Sequence, residues 1–201
     1  MSLARALWWL AAAAVTLPFL DVAWRTLPSR RNRFVEHATR ARLILGAAEL
    51  ALAVLYLAAA RGRVRLAAGP DPRPALLLAL LGAPLALAGG LLAAWAKVTL
   101  GRLFSATFGV KEGHRLITSG PYAVVRHPIY AGLVAFLAGS ALVWNDAALL
   151  GVAAAAALLF AAHVRVEEAM FIRHFGEAYR QYQRRTPALL PLVGRRRSGA
   201  P

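Results

Sequence analysis

The feature that most constrains this chain is a pair of apolar runs joined by only two residues. The runs are Ile129–Trp144 and Ala147–Val164, and Asn145-Asp146 is all that separates them. Two helices with so short a connection must fold back on each other as an antiparallel hairpin. Arg126 and Arg165 stand nineteen residues before and nineteen residues after this turn. Equal arms that rise by about 1.5 Å per residue return to the same depth, so the flanking polar residues are predicted to meet.

Both arms of the hairpin end in residues that can bind a ligand or react. The first arm is preceded by Gly120-Pro121-Tyr122 and by Arg126-His127, and the second is followed by Glu167-Glu168. Taken singly, an Arg-His pair before a membrane helix is typically an interfacial anchor, and a glutamate pair can be an exposed helix-end charge. Taken together at one depth, these residues predict a functional site at the mouth of the hairpin.

The remaining apolar residues predict further helices of the same kind. The chain has 201 residues, of which 59% are hydrophobic, and its mean hydropathy is +0.54. Crossing a hydrocarbon core of roughly 30 Å takes about 20 apolar residues, and only helices satisfy their backbone there. We therefore predict an all-α integral membrane protein with five transmembrane helices. They are Leu3–Leu20, Leu43–Ala60, Ala75–Ala96, Ile129–Trp144 and Ala147–Val164.

The first apolar block has a second interpretation, because Arg5 precedes it as in a secretory signal peptide. Trp8-Trp9 and Pro18 make a poor cleavage region, which favours a retained membrane helix.

The region after Val164 predicts an amphipathic helix that Thr186-Pro187 ends. Apolar residues spaced by 4, 3 and 4 would lie on one face of it, namely Phe171, Phe175, Ala178 and Tyr182. We expect this helix on the cytoplasmic membrane interface or over the hairpin mouth, although a simple surface helix has the same pattern. The chain then divides into N-terminal helices over 1–96, a core over 97–191 and a basic tail over 192–201.

Basic residues are divided unevenly between the two sides that five spans would define. The formal net charge is +15, and one side would carry 19 Lys and Arg residues against 5 on the other. The positive-inside rule then places the N-terminus outside and the C-terminus in the cytoplasm. Attraction to anionic lipid accounts for the charge without a nucleic-acid partner. The Ala- and Arg-rich composition is typical of a bacterial protein, so we expect an inner-membrane location.

The composition also excludes several kinds of chemistry. The chain has no cysteine, which excludes disulfides, thiolate nucleophiles and cysteine-ligated metals. Its five histidines form no HxxxH or HExxH pair, so no metal site is expected. No GxGxxG motif follows a predicted strand, which excludes a soluble Rossmann-type enzyme.

The motifs around the hairpin resemble those of a known family. They are His114-Arg-Leu-Ile-Thr-Ser-Gly-Pro-Tyr122, then Arg126-His-Pro-Ile-Tyr-Ala-Gly132, then Glu167-Glu168, Phe175-Gly176, Tyr179, Tyr182, Pro187 and Leu190-Pro191. In order and spacing, this set resembles the isoprenylcysteine carboxyl methyltransferase family, which is related to the phospholipid methyltransferases. The resemblance covers Trp95–Pro191, about half of the chain.

The resemblance implies a membrane enzyme that transfers the methyl group of S-adenosylmethionine to a lipophilic or small acceptor. It implies a cofactor site made by His114, Arg115, Leu116, Ile117, Tyr122, His127, Pro128, Ile129, Tyr130 and Glu167. We place the catalytic, acceptor-side residues at His163, Arg165 and Glu168. His163 stands where the eukaryotic carboxyl methyltransferases have an arginine that is thought to hold the substrate carboxylate, so the acceptor here stays open.

Two other functions are compatible with parts of this pattern. A sterol-reductase-like membrane enzyme that uses a nicotinamide cofactor shares a C-terminal helical hairpin, but the Arg-His-Pro-x-Tyr and Glu-Glu motifs favour a methyltransferase. A non-enzymatic scaffold or transport subunit is the other alternative. Transport is disfavoured because Glu49 is the single charged residue in the middle of a predicted span.

Overall fold

The computed structural model describes residues 34–37, 72–104, 109–111, 113 and 115–191. These residues form four α-helices: α1 Pro72–Leu100, α2 Pro128–Trp144, α3 Ala147–Phe175 and α4 Glu177–Arg185. Single 3-10 turns lie at Gly101–Leu103 and Gly120–Ala123. The predicted spans Leu3–Leu20 and Leu43–Ala60, the residue Glu49 and the tail over 192–201 lie outside the described residues.

Helices α1 and α2 pack antiparallel through a seam of glycine. A Cβ atom added at Gly89 would lie 2.6 Å from the carbonyl oxygen of Gly132, and one added at Gly82 would lie 2.6 Å from that of Gly139. Ala86 is fully buried between these contacts, and Ala93 is fully buried one turn beyond Gly89. Small residues let two backbones approach closely, which maximises van der Waals contact where lipid offers no hydrophobic driving force.

The predicted hairpin between α2 and α3 is confirmed. Helix α2 begins at Pro128, whose missing N–H costs nothing in the first turn. Asn145 adopts a left-handed conformation with φ 48° and ends α2. Asp146 then caps α3 by accepting a hydrogen bond from the Ala148 N–H at 2.7 Å. The turn therefore consists of the two residues that separate the apolar runs.

The C-terminal region differs from the prediction of one amphipathic helix. Helix α3 continues to Phe175. Gly176, with φ 58°, ends it, and α4 begins at the next residue. The predicted face that combined Phe175 with Ala178 and Tyr182 is wrong, because this break resets the helical register. Ala178 is exposed, and the buried face of α4 is Tyr179 with Tyr182. The helix ends at Arg185, before Thr186-Pro187 as predicted.

A short pair of strands, absent from the predicted all-α fold, accompanies the helices. Strand β1, Phe34–His37, pairs antiparallel with β2, Gly109–Lys111. Phe34 lies opposite Lys111 and His37 opposite Gly109, with an irregularity between them. The strands join the connection between α1 and α2 to the N-terminal part of the chain.

Two of the described helices are long and apolar enough to cross a membrane, over Leu76–Leu100 and Ala147–Phe175. Helix α2, with 17 residues, is a shorter apolar helix. One face of α1 exposes large apolar side chains, as a surface in contact with lipid would. They are Leu76, Leu77, Leu80, Leu81, Leu85, Leu91, Trp95 and Val98.

Candidate active site

The mouth of the hairpin holds a buried histidine between two carboxylates. The Nδ1 atom of His127 lies 3.4 Å from Oε2 of Glu167, and its Nε2 atom lies 3.2 Å from Oε1 of Glu168. The imidazole is 5% exposed. His127 is the last residue before α2, and the glutamates lie within α3, so the hairpin brings together residues forty positions apart. This meeting is the one that the equal arms of the hairpin predict.

The two carboxylates determine the protonation of His127. Burial lowers the pKa of the imidazole, but hydrogen bonds and charge interactions with Glu167 and Glu168 outweigh burial and raise the pKa above its usual value of 6.5. An imidazolium donates from both ring nitrogens, whereas a neutral imidazole donates from one. The protonated form therefore bridges both carboxylates.

Arg126 gives the site its second cation. Its Nε atom donates to Oε1 of Glu168 at 2.7 Å, and Nη2 lies 2.6 Å from the same oxygen. Its Nη1 atom donates to the carbonyl oxygens of Gln183, at 3.1 Å, and of Thr186. The guanidinium is 10% exposed, so these acceptors replace the water that it loses.

Both oxygens of Glu168 are engaged by the protein. Oε1 accepts from Arg126 and lies in hydrogen-bond range of His127, and Oε2 accepts from Nε2 of Gln183 at 2.8 Å. Glu168, predicted on the acceptor side, thus joins α2, α3 and α4. Glu168 contacts a guanidinium, an imidazole and an amide, whereas the contacts described for Glu167 are the His127 imidazole and the Tyr130 hydroxyl. Glu167 therefore has more capacity left for a cationic ligand.

Aromatic rings extend from the carboxylates into the hairpin. The Tyr130 hydroxyl donates to Oε1 of Glu167 at 3.1 Å. The Tyr130 ring stacks on Phe160 at 5.0 Å and on His127 at 5.9 Å, between ring centroids. His163 is buried beside them, 5.9 Å from Tyr130 and 6.1 Å from Phe160. The predicted acceptor-side histidine and the predicted cofactor-side tyrosine are therefore neighbours.

Tyr122 anchors the segment that leads into the site. Its hydroxyl donates to the carbonyl of Ala96 on α1 at 3.4 Å, and its own carbonyl accepts from the hydroxyl of Tyr182 on α4. Burial, with smaller effects from Glu167 and Tyr182, raises the pKa of Tyr122 well above the usual range. The phenol therefore stays neutral at physiological pH.

The remaining predicted residues occupy different surroundings. Arg115 is exposed, while Leu116 and Ile117 are half-buried in the segment without regular secondary structure before the Gly120–Ala123 turn. Pro128 is buried and Ile129 half-buried in the first turn of α2. Arg165 is exposed on α3. His114 lies outside the described residues.

Sequence reasoning gave no site role to Gln183 or Phe160, and it named no partner for Arg126. Arg126 stood in the motif and was expected at the hairpin mouth, and its adjacency to His127 could have suggested a buried partner for the glutamates. Gln183 had no such pattern, because a glutamine in a polar helix is ordinarily solvated. Within the described parts of the chain, no group of three or more His, Asp or Glu side chains is arranged to hold a metal ion.

The region that builds this site matches a known family. Residues 80–173 match the model of the isoprenylcysteine carboxyl methyltransferase (ICMT) family. The resemblance inferred from the motifs is thereby confirmed over this region of the chain.

Curated relatives agree with the match. A protein-S-isoprenylcysteine O-methyltransferase of Xenopus laevis is 32% identical over 127 residues, which are 62% of this chain and 44% of the relative. Protein-S-isoprenylcysteine O-methyltransferase B of Arabidopsis thaliana is 30% identical over 115 residues, 56% of this chain and 58% of the relative. The cobalt-zinc-cadmium resistance protein CzcN of Cupriavidus metallidurans is 37% identical over 95 residues, 46% and 44% of the two chains. The chain thus spans about half the length of these relatives.

Proposed function

We propose that this protein is an integral membrane methyltransferase that uses S-adenosylmethionine and methylates a lipophilic or small acceptor. The observation that carries the proposal is the cluster of His127, Tyr130, Glu167 and Glu168 at the hairpin mouth, within the region of the family match. The names of the Xenopus and Arabidopsis relatives support a methyltransferase and a prenylated acceptor.

The side chains present suit this methyl donor. S-adenosylmethionine supplies an electrophilic methyl group on a sulfonium, and it also carries an ammonium group. Glu167 is 21% exposed, so its carboxylate can still offer charge-assisted hydrogen bonds to an ammonium. The rings of Tyr130 and His127 lie beside it, and the face of a tyrosine ring attracts a cationic centre.

The residues of the chain contribute orientation and a dry environment. Methyl transfer to an anionic acceptor needs in-line placement more than proton transfer. His127 and Tyr130 hold the two oxygens of Glu167 and thereby fix the direction in which it meets a ligand. The buried rings of Phe160 and His163 exclude water on the apolar side of the cluster.

The proposal also covers the side from which the acceptor enters and the orientation of the protein in the membrane. His163 lies next to Tyr130 inside the hairpin, so an apolar acceptor would approach from the lipid side, with Arg165 at the outer edge of α3. We propose that the mouth faces the cytoplasm, that the N-terminus lies outside, and that the protein resides in a bacterial inner membrane. The core over 97–191 would carry the chemistry, with His114–Ile117 completing the cofactor site.

The donor can be tested by calorimetry on the full-length protein in lipid nanodiscs, with S-adenosylhomocysteine as the probe. We expect binding by the wild type, and weakening by about 10- to 150-fold in Glu167→Gln, because one charge-assisted hydrogen bond is worth about 1.5–3 kcal/mol. Glu177→Gln is the matched control, since the Glu177 side chain is 58% exposed on α4. A folded wild type that binds no probe, or a Glu167→Gln variant that binds as well as the control, would contradict the proposal.

The reaction itself can be followed with methyl-labelled S-adenosylmethionine in membranes that contain the protein. We expect the label to appear in a lipid-soluble or small product. Chemical identification of that product would show which class of acceptor the protein methylates.

A further inference from the structure

The helix that closes the site lies beyond the region of the family match. That match ends at residue 173, whereas residues 177–188, here called the C-terminal strap, begin after the break at Gly176. The strap contains α4 and the three residues that follow it. Apart from a helical bond to Gly176, its described hydrogen bonds to the rest of the chain go to Tyr122, to Arg126 and His127 before α2, and to Glu168.

The backbone of the strap runs alongside the entrance to α2. The Arg126 N–H donates to the carbonyl of Pro187 at 2.8 Å, and the His127 N–H donates to that of Ala188 at 3.0 Å. Since these donors precede α2, they have no helical acceptor of their own. The strap therefore fixes the backbone from which the His127 imidazole projects.

The side chain of Arg126 also binds the strap. Its guanidinium donates to the carbonyls of Gln183 and Thr186 while it also donates to Glu168. These carbonyls lie at the C-terminal end of α4, where helical carbonyls lack internal partners and the helix dipole is negative. A buried cation at this place satisfies them and joins the strap to α3.

The side chain of Gln183 acts on Glu168 alone among the described contacts. Its Nε2 atom donates to Oε2, the oxygen that neither Arg126 nor His127 uses. The terminal torsion of a glutamate is broad and roughly two-fold, so partners on one oxygen do not fix the plane of the carboxylate. A donor on the second oxygen does fix it.

We propose that the C-terminal strap is part of the functional site and that Gln183 is its positioning residue. Gln183 fixes the Glu168 carboxylate in the orientation that holds His127 between the two glutamates. The consequence for ligand binding rests on the proposed function, because His127 in turn orients Glu167. The titration of His127 can be measured in the absence of any ligand.

The test compares two glutamines of the same helix in the full-length protein. Gln183→Leu removes the donor to Glu168, whereas Gln181→Leu changes an exposed residue two positions away. The readouts are the titration of His127, followed by NMR of ring-labelled histidine and assigned with His127→Gln, the affinity for S-adenosylhomocysteine and the melting temperature.

In Gln183→Leu we expect the pKa of His127 to fall toward its ordinary value, because a Glu168 carboxylate free to turn stabilises the imidazolium less. We also expect the affinity for the probe to fall by about tenfold, the effect of losing one hydrogen bond in the site. Gln181→Leu should retain wild-type values. Gln183→Asn, which keeps the amide but withdraws it by one methylene, should repeat the fall and guards against a leucine variant that does not fold.

The outcomes separate this proposal from the methyltransferase proposal. If Gln183→Leu and Gln183→Asn lower the melting temperature but leave the His127 titration unchanged, the strap is only a structural support and the inference is overturned. If the titration shifts as expected while the folded wild type binds no S-adenosylhomocysteine, the positioning role stands and the proposed function fails.

Discussion

Against α1, helix α2 packs through glycine and alanine backbones, whereas against α3 its N-terminal end is held by charged side chains. At the first contact, Gly89 and Gly132 approach so closely that neither has room for a methyl group. At the second, Arg126 and His127 meet Glu168 in a nearly buried cluster. One helix therefore has one neighbour positioned by shape and another positioned by charge.

The two contacts differ in what they tolerate. The glycine seam depends on close contact between backbone atoms. Adding volume there forces the two helices apart and lowers the stability of the protein. A desolvated charge cluster can absorb a change of shape but not the loss of one charge, because the opposite charge is then left buried without compensation. The three predictions that follow break each contact in its own way.

The largest effect is expected from Glu168→Ala. This change leaves Arg126 and His127 without the carboxylate that both contact, and breaking a buried ion pair from one side costs about 3–5 kcal/mol. The measurement is the free energy of unfolding of the full-length protein in mixed micelles. Glu177→Ala removes an exposed carboxylate paired with Arg180 and Arg184 and should unfold like the wild type. Equal stabilities of the two variants would show that the cluster is a surface ion pair.

A smaller loss is expected from Gly89→Ala, in the seam. The added Cβ would lie 2.6 Å from the Gly132 carbonyl oxygen and 2.6 Å from the Phe136 nitrogen. Because these are backbone atoms, the helices must separate, and overpacking of this kind costs about 1–3 kcal/mol. Gly151→Ala on α3 is the control, since nothing lies within 4 Å of its added Cβ. It should be neutral or more stable by up to about 1 kcal/mol, through helix propensity. A Gly89→Ala variant as stable as this control would contradict the close approach.

The smallest effect is a dependence of stability on pH. Because Glu167 and Glu168 raise the pKa of His127 in the folded protein, folding favours the protonated imidazole. That stabilisation is fully present below the ordinary pKa of 6.5 and is lost as the pH rises through the higher folded value. Unfolding measured across this range should show the loss in the wild type and a flatter profile in His127→Gln. His174→Gln, at an exposed histidine, should keep the wild-type slope. An unchanged slope in His127→Gln would mean that another group titrates.

The hairpin and its polar mouth could be predicted because their causes are local. Two apolar runs with a two-residue turn have one compact arrangement, and Asn145 and Asp146 are residues that end one helix and cap the next. The amphipathic stripe beyond Val164 could not be extended correctly. Its 3.6-residue period assumed an unbroken helix, and a single glycine with positive φ, Gly176, moved Ala178 to the surface.

The sequence by itself determined the helical arms and the match of residues 80–173 to a family, because apolar periodicity and motif spacing are properties of neighbouring residues. Only the tertiary structure decided which side chains at the hairpin mouth are in contact with which carboxylate. Glu168 meets Arg126 across 42 positions and Gln183 across 15, and these meetings depend on where the break at Gly176 directs α4. The residues around Gln183, in a polar helix, and around Glu168, in an apolar helix, do not indicate that the two side chains are in contact. The contact arises from the packing of three helices and not from the sequence pattern of any one of them.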